Sequence, residues 1–303
     1  MTVHRANAWG VTARFATRGK GSPAEAVFKA NFLPQSFTGA AVYDLLHRHC
    51  PGDVPELLAW VEEPGRRWEL FGVFTGKNIG SLGALEPLQE IARTLARIQS
   101  TIARLPPSEA PGVPRSPVER VPAVFDELIS AIERRLLSAW QSGDTTPDAP
   151  RLPADVIERL SGARPRVARW VEELARGGWP LTAHHIDLHP DNAVRRDDGR
   201  VLIFDWEEAD IGPPFFAIDK LLLATGKLAG DAGMDFVREA YLDSLPWGTK
   251  RERRRALDLA LLLSPIRNAD ADLRFADALG WDPTAQIAGW VGLALRRWDA
   301  TPS

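Results

Sequence analysis

The chain has 303 residues, enough for two domains or one large two-lobed unit, and its 45% hydrophobic and 25% charged residues are typical of a globular protein. A net charge of −3 argues against a nucleic-acid-binding surface, which normally carries a basic excess, and the single cysteine excludes an internal disulfide framework. Because no apolar run approaches the ~20 residues of a membrane span and the first ten residues lack the apolar core of a signal peptide, we expect a soluble, cytoplasmic protein without a membrane partner.

Residues 8–32 predict two strands joined by a glycine-containing turn. The second strand alternates over residues 26–32, which places Lys29 on one face. Lys29 is either a solvated side chain on an edge strand or a lysine that reaches into a cleft and binds nucleotide phosphates. The turn at residues 19–22 can touch phosphate through backbone N–H groups. It lacks the earlier glycine that a Walker A loop requires.

Residues 38–49 predict a short amphipathic helix, and Pro51-Gly52 follows it as a stop signal. Residues 57–61 and 68–74 predict a second pair of strands. We therefore predict that residues 1–76 form a small, nucleotide-binding lobe made of a mostly antiparallel sheet and one helix.

From Gly80 onward the apolar spacing becomes helical. The predicted helices span residues 85–103, 121–140, 154–176, 215–228, 234–242, 250–263 and 285–298. Residues 77–303 are thus predicted to form a larger, mainly helical lobe. The predicted fold class is α+β with two lobes, and a cleft between them is where a small-molecule site is expected.

The densest group of polar side chains lies between residues 181 and 219. It begins with HHIDLHPDN (184–192), in which histidines alternate with acidic and amide side chains. Asp198-Gly199 then separates two strand-like runs and predicts a hairpin, because glycine accepts the positive φ of the turn. The second strand delivers Asp205 and Glu207 at its end. Two acidic groups and one amide brought together in this way can hold a divalent cation with a base beside it.

Three interpretations fit this stretch. The first is a zinc site, whose candidate ligands are His184, His185, Asp187 and His189. The second is phosphoryl transfer, because His185, Asp187 and Asn192 fit the catalytic-loop pattern H-x-D-x-x-x-x-N and Asp205 follows as a second metal-binding acid. The third is a polar loop and a charged hairpin on an ordinary surface. The turn, the apolar strand and the Asp-Trp pair that follow the motif favour phosphoryl transfer.

With these residues the chain resembles the aminoglycoside phosphotransferase and choline-kinase-like group of the protein-kinase-like fold. The resemblance rests on HHIDLHPDN, on IFDWEEADIGPP and on Asp219, and in the small lobe mainly on Lys29. It implies an ATP- and Mg²⁺-dependent phosphotransferase that moves the γ-phosphate to a hydroxyl of a small molecule. The acceptor implied is aminoglycoside-like, an amino-alcohol or a sugar.

The resemblance also implies roles for individual residues. Asp187 would accept or orient the proton of the attacking hydroxyl, and Asn192 and Asp205 would hold Mg²⁺ against the phosphate oxygens. Lys29 would position the α- and β-phosphates, and the backbone of residues 70–74 would hydrogen-bond adenine. The supporting positions are His185, His189, Glu207 and Asp219.

The acceptor is open on sequence grounds. A polycationic acceptor would need an acidic surface near the reacting hydroxyl. The acids that can provide such a surface are Glu207, Glu208, Asp210, Asp270 and Asp272. Their alternative interpretation is an ordinary solvated surface.

The small lobe departs from the family in one respect. No glutamate occurs between Glu25 and Glu56, so the usual helix glutamate that pairs with the lysine is missing. Asp44 is the nearest acid on the predicted helix. This departure keeps an alternative open, a non-catalytic kinase-like protein that binds nucleotide or regulates a partner.

Overall fold

The computed structural model describes residues 2–7, 10–17, 25–32, 39–63, 66–137 and 153–301. Two compact units share the chain, and each is built from two separate segments. The first unit consists of Met1–Arg115 and Pro180–Lys250, and the second of Ser116–Trp179 and Arg251–Ser303. The division into lobes between residues 76 and 77 remains a prediction.

The first unit contains a five-stranded antiparallel sheet with the strand order β1-β2-β3-β5-β4. The strands are β1 (Thr2–Asn7), β2 (Gly10–Ala16), β3 (Glu25–Asn31), β4 (Leu57–Glu63) and β5 (Arg66–Gly72). Both predicted strand pairs are confirmed, while the turn at residues 19–22 lies outside the described residues. The sequence does not predict β1. This edge strand exposes Thr2, Val3 and His4, so its side chains show no buried alternation.

Helix α1 (Gly39–His49) confirms the predicted helix almost to the residue. Val42, Leu45 and Leu46 are buried as the spacing requires, and Tyr43 is buried with them. The ring of Tyr43 packs edge-on against Phe71 of β5, with 4.8 Å between the ring centroids. This contact attaches α1 to the sheet.

Helix α2 (Leu85–Ile102) supplies much of the core of the first unit and positions strand β7 (Thr182–His184). The hydroxyl of Thr182 donates a hydrogen bond to the carbonyl oxygen of Gln99 over 2.6 Å. The side-chain nitrogen of Gln99 donates in turn to the carbonyl oxygen of Ala183 over 3.2 Å. Strand β7 is therefore fixed by α2 immediately before the histidine-rich motif.

The first unit also contains several short strands and one further long helix. They are β6 (Lys77–Asn78), β8 (Ala193–Arg195), β9 (Val201–Ile203), β10 (Asp210–Gly212) and α5 (Asp219–Ser244). Strands β6, β8 and β9 form a three-stranded sheet, and β10 pairs with β7. Helix α5 covers the region where two helices are predicted, and Gly230 interrupts it with a φ of 65°.

The second unit is helical. The α-helices among its described residues are α3 (Val121–Ala131), which continues as the π-helical turn Ile132–Leu136, α4 (Val156–Arg176), α6 (Lys250–Leu279) and α7 (Thr284–Asp299). Trp298 lies in the core of this unit, where its ring packs against Phe125 and Trp170. Helix α6 extends well beyond the predicted end at residue 263. Proline normally ends such a pattern, but Pro265 is buried inside α6, where tertiary packing outweighs the lost N–H donor.

The described residues thus form an α+β fold with an antiparallel amino-terminal sheet and a helical carboxyl-terminal part, which confirms the predicted fold class. No helix among them is both long and apolar enough to cross a membrane.

Candidate active site

The loop that follows β7 is braced by His185, which is 1% exposed. The backbone N–H of Asp187 donates to Nδ1 of this imidazole over 3.2 Å. Because Nδ1 accepts, the ring proton sits on Nε2, which lies 2.9 Å from the carbonyl oxygen of Phe204 and donates to it. The neutral ring therefore ties the loop to the end of the predicted hairpin.

The buried state of His185 predicts a specific loss of stability in acid. Burial lowers the pKa of His185 from 6.5 to about 4, so between those values the unfolded chain binds a proton that the folded chain does not. We expect this imidazole to reduce the free energy of unfolding by about 2 kcal/mol when the pH falls from 7 to 5. Denaturant unfolding of the wild type and of His185→Gln at both pH values measures the effect as a difference. Equal losses in the two proteins would contradict it.

Asp187 lies on the same loop, with 39% of its side chain exposed. Its Oδ1 accepts from the ammonium of Lys220 over 2.8 Å, and its Oδ2 lies 3.3 Å from Nε2 of His189. Burial opposes ionisation, but the hydrogen bond from His189 and the positive charge of Lys220 hold the pKa of Asp187 well below its usual range. Asp187 is therefore a reachable carboxylate that stays ionised.

His189 orients this carboxylate from within the loop, and Asn192 holds the backbone of the same residue. The backbone N–H of Asp191 donates to Nδ1 of His189, so the Nε2 proton of His189 faces Asp187. The side-chain nitrogen of Asn192 donates to the carbonyl oxygen of Asp187 over 2.9 Å. Because the nitrogen of this amide is used in that bond, its oxygen Oδ1 is the atom that can act as a metal ligand or hydrogen-bond acceptor.

The predicted hairpin is confirmed by β8 and β9, and Gly199 occupies its turn with a φ of 82°. The N–H of Phe204, just beyond β9, donates to the carbonyl oxygen of Asn192 over 2.9 Å. Asp205 follows with a φ of 70°, the only positive φ of a non-glycine residue in the described part of the chain. The next residue, Trp206, is fully buried. The hairpin therefore carries Asp205 to the side of the loop where Asn192 lies.

The side chain of Lys29, in β3, reaches Asp205 at the end of the hairpin. Its ammonium contacts the carboxylates of Asp205 and Glu207. Burial alone would lower the pKa of Lys29, but the charges of Glu207 and Asp205 raise it above its ordinary value. Lys29 is thus charged, and its partners come from the segment after β9. Asp44 of α1 is not a partner, because its exposed carboxylate pairs with Arg48.

Carboxylates outnumber the ammonium around Lys29. Glu69 of β5 lies opposite Lys29 of β3 in the register of the sheet. Both Glu69 and Glu207 are buried. Burial and the charge of Asp205 raise the pKa of Glu207, whereas Lys29 holds the pKa of Asp205 at about 2 although burial opposes it. Asp205 thus stays ionised beside Lys29, and its carboxylate is available to an additional cation.

A magnesium ion fits the donors found here. Asp205 offers a carboxylate and Asn192 an amide oxygen, which are the hard ligands that Mg²⁺ prefers, and Mg²⁺ commonly uses one or two protein groups together with phosphate oxygens. Among the described residues no group of three or more His, Cys, Asp or Glu side chains is placed to hold a metal ion.

The zinc interpretation receives no support. His184 lies 2.9 Å from the carboxylate of Asp210, while His185 and His189 are engaged as described above. The three imidazoles thus serve different partners, and none of them belongs to a metal-binding group of three or more side chains in the described part of the chain.

The five acids considered for a polycationic acceptor have local partners or a raised pKa. Glu207 and Asp210 are buried against Lys29 and His184. Burial, with the nearby charge of Asp187, raises the pKa of Glu208 to about 8, so its carboxyl is mostly neutral at pH 7. The two others belong to the second unit and have local partners, Asp270 with Arg274 and Asp272 with Trp290.

Asp219 is buried as the first residue of α5. Its predicted hydrogen bond to the catalytic-loop backbone stays a prediction. Sequence reasoning missed two residues of the site, Lys220 and Tyr43. Lys220 is one of only six lysines and directly follows Asp219, which is a usable signal. Tyr43 stands among the buried positions of α1, where its spacing is that of an ordinary core residue.

Comparison with known proteins was made by sequence and by structure. The model of the phosphotransferase enzyme family matches residues 38–257, well over half of the chain. A search of curated protein sequences found no match.

Several solved structures share the fold. The ethanolamine kinase of Plasmodium vivax superposes with a TM-score of 0.63 at 12% identity, covering 99% of this chain and 81% of that one. The choline kinase of Streptococcus pneumoniae has a TM-score of 0.62 at 14% identity, with 95% and 94% covered. An aminoglycoside phosphotransferase of Streptomyces rimosus, in complex with ADP and streptomycin, has a TM-score of 0.51 at 17% identity, with 82% and 91% covered.

At these identities the structures establish the fold, which is the predicted protein-kinase-like one. The family itself is established by the sequence match, which includes α1, the HHIDLHPDN loop and the hairpin that carries Asp205. The chain therefore belongs to the phosphotransferase enzyme family.

Proposed function

We propose that this protein is an ATP- and Mg²⁺-dependent kinase that transfers the γ-phosphate to a hydroxyl of a small molecule. The observation that carries the proposal is the joint placement of an ionised, partly exposed Asp187 beside Asn192, with Asp205 and Lys29 at the end of the adjoining hairpin. These are the groups that phosphoryl transfer requires of a protein: a base, metal ligands and a cation for the phosphates.

Asp187 is the proposed base. The hydroxyl oxygen of the acceptor attacks the γ-phosphorus, the bond from that phosphorus to the β–γ bridging oxygen breaks, and ADP leaves. The proton of the hydroxyl passes to Asp187. Lys220 and His189 each engage one oxygen of this carboxylate, and each oxygen keeps a further lone pair for the acceptor. The two contacts fix the direction in which the carboxylate accepts.

Asp205 and Asn192 are the proposed holders of Mg²⁺, and Lys29 is the proposed contact for the α- and β-phosphates. When bound, Mg²⁺ neutralises the charge that develops on the phosphate oxygens. We assign adenine to the backbone of residues 70–74, at the end of β5. The complex of the Streptomyces rimosus relative with ADP supports an adenine nucleotide as the donor.

Amino-alcohols and sugars are the proposed acceptors to test first, together with aminoglycosides. Support comes from relatives of the same fold that are named ethanolamine kinase, choline kinase and aminoglycoside phosphotransferase. The alternative of a non-catalytic binding protein rests on the missing helix glutamate of Lys29 and on the weak glycine signal at residues 19–22. The contacts of Lys29 with Asp205 and Glu207 weaken the first of these grounds.

Thermal unfolding with and without Mg-ATP tests the metal–nucleotide site. A ligand that binds only the folded protein adds roughly 2.7 kcal/mol to its stability at one hundred times its Kd. We expect a clear upward shift of Tm in the wild type, and we expect Asp205→Ala to abolish it because the metal ligand is lost.

Asp197→Ala is the matched control, since Asp197 is an exposed carboxylate in the same hairpin. It should show the full wild-type shift. A wild type that responds to neither Mg-ATP nor Mg-GTP would overturn the nucleotide assignment. Where the shift is present, ADP release in the presence of amino-alcohols, sugars and aminoglycosides identifies the acceptor class.

A further inference from the structure

Helix α1 reaches the proposed metal site through Tyr43. The hydroxyl oxygen of Tyr43 accepts hydrogen bonds from two successive backbone N–H groups, that of Asp205 over 2.9 Å and that of Trp206 over 3.1 Å. The side chain is 2% exposed. One phenol oxygen therefore satisfies both donors of the peptide segment that carries the metal-binding carboxylate.

The conformation of Asp205 explains why such an acceptor is needed. A φ of 70° lies in the left-handed region, which a residue with a Cβ adopts at a cost in free energy. Successive N–H groups in a turn of this kind converge on one point and form a concave site for an oxygen. Trp206 is fully buried, so water is no substitute for the partner of its N–H.

The phenol is itself held rigidly. Val42, Leu45 and Leu46 bury the same face of α1, and the Tyr43 ring packs on Phe71. An ordinary phenol ionises only at about pH 10, so the hydroxyl is neutral at pH 7. The hydroxyl is thus a neutral acceptor whose position is set by the core of the sheet and helix.

We propose that Tyr43 is a positioning residue for the metal site: its hydroxyl holds the backbone of Asp205 and Trp206 in the left-handed turn that presents the Asp205 carboxylate. Helix α1, which has no acid paired with Lys29, is in this way coupled to the site through a phenol. The inference rests on the proposed function in so far as Asp205 holds the metal.

The test compares Tyr43→Phe with Tyr241→Phe. These are the two tyrosines of the chain, and both are buried. The hydroxyl of Tyr241 lies 2.7 Å from the side-chain oxygen of Gln99 and 2.7 Å from the carbonyl oxygen of Pro214. Each variant keeps its ring and loses one buried hydroxyl, so the pair separates an effect at Asp205 from a general loss of stability.

The first readout is hydrogen exchange at the amides of Asp205 and Trp206 in the protein without ligands. Tyr43→Phe should accelerate exchange at these two amides by roughly tenfold or more, because their acceptor is gone, and Tyr241→Phe should leave them unchanged. Unchanged exchange in Tyr43→Phe would overturn the positioning role.

The second readout is Mn²⁺ binding, followed by electron paramagnetic resonance in the presence of a non-hydrolysable ATP analogue. We expect Tyr43→Phe to bind Mn²⁺ roughly tenfold more weakly than the wild type, and Tyr241→Phe to bind it normally. Equal affinities in the wild type and Tyr43→Phe, or equal weakening in both variants, would refute the coupling to the metal site. Absence of Mn²⁺ binding by the wild type would overturn the metal assignment of the proposed function, and the exchange rates would still decide whether Tyr43 holds Asp205.

Discussion

Replacing Asp187 with asparagine should lower the turnover number by roughly 10³-fold while leaving the fold intact, because a positioned base typically contributes 10²–10⁴-fold. Asparagine has the same shape but does not accept a proton at neutral pH. The hydrogen bond that Asn192 donates to the carbonyl oxygen of residue 187 is a backbone contact and survives the change. Steady-state release of ADP with a reactive acceptor measures the loss, and the thermal shift with Mg-ATP shows whether nucleotide binding persists.

Asp191→Asn is the control for this variant. Asp191 stands on the same loop, but 71% of its side chain is exposed. Its carboxylate lies 3.7 Å from Nδ1 of His189, and asparagine keeps an oxygen there, while the hydrogen bond from the backbone N–H of Asp191 to His189 is unaffected. Its replacement should leave turnover close to the wild-type value. Undiminished turnover in Asp187→Asn would show that this carboxylate is not the base.

The second large effect is expected from Lys29→Met, which removes the ammonium from among Asp205, Glu207 and Glu69. Removing one partner of a buried ion pair leaves an uncompensated charge, so we expect the free energy of unfolding to fall by about 3 kcal/mol. The KM for ATP should rise at the same time, since the contact with the α- and β-phosphates is lost. Denaturant unfolding and steady-state kinetics measure the two effects separately.

Two further variants make this result specific. Lys77→Met removes an exposed lysine of β6 and should change neither quantity. The double variant Lys29→Met/Glu207→Gln removes a carboxyl together with the ammonium, so it should recover part of the lost stability and none of the ATP affinity. Wild-type stability and KM in Lys29→Met would contradict the location of the charged cluster.

The features that could be predicted from the sequence are those encoded within a few neighbouring residues. Asp198-Gly199 predicts the hairpin because the turn needs a positive φ, and Gly199 has one. The spacing of Val42, Leu45 and Leu46 predicts α1 and its buried face. The order of the HHIDLHPDN loop brings Asp187 and Asn192 into contact because both lie on one short segment.

The features that could not be predicted depend on which distant segments meet. Lys29 and Asp205 are separated by 176 residues, and Tyr43 and Asp205 by 162. The sequence of the helix offers Lys29 only Asp44 as an acid, whereas the fold supplies acids from beyond β9. Strand β1 carries too few buried side chains to produce a pattern, and tertiary packing carries α6 past Pro265, where local propensity would end it.

The first unit is built from two chain segments that are far apart in sequence, and this affects the protein during synthesis on the ribosome. The 176 residues between Lys29 and Asp205 take roughly 9–35 s to translate at 5–20 residues per second. For that interval the strand that bears the lysine, and the helix that bears Tyr43, exist without the hairpin they contact in the finished protein. A nascent chain released before residue 205 carries Lys29 but neither Asp205 nor Glu207, so a truncated product of this length has no cation site to load.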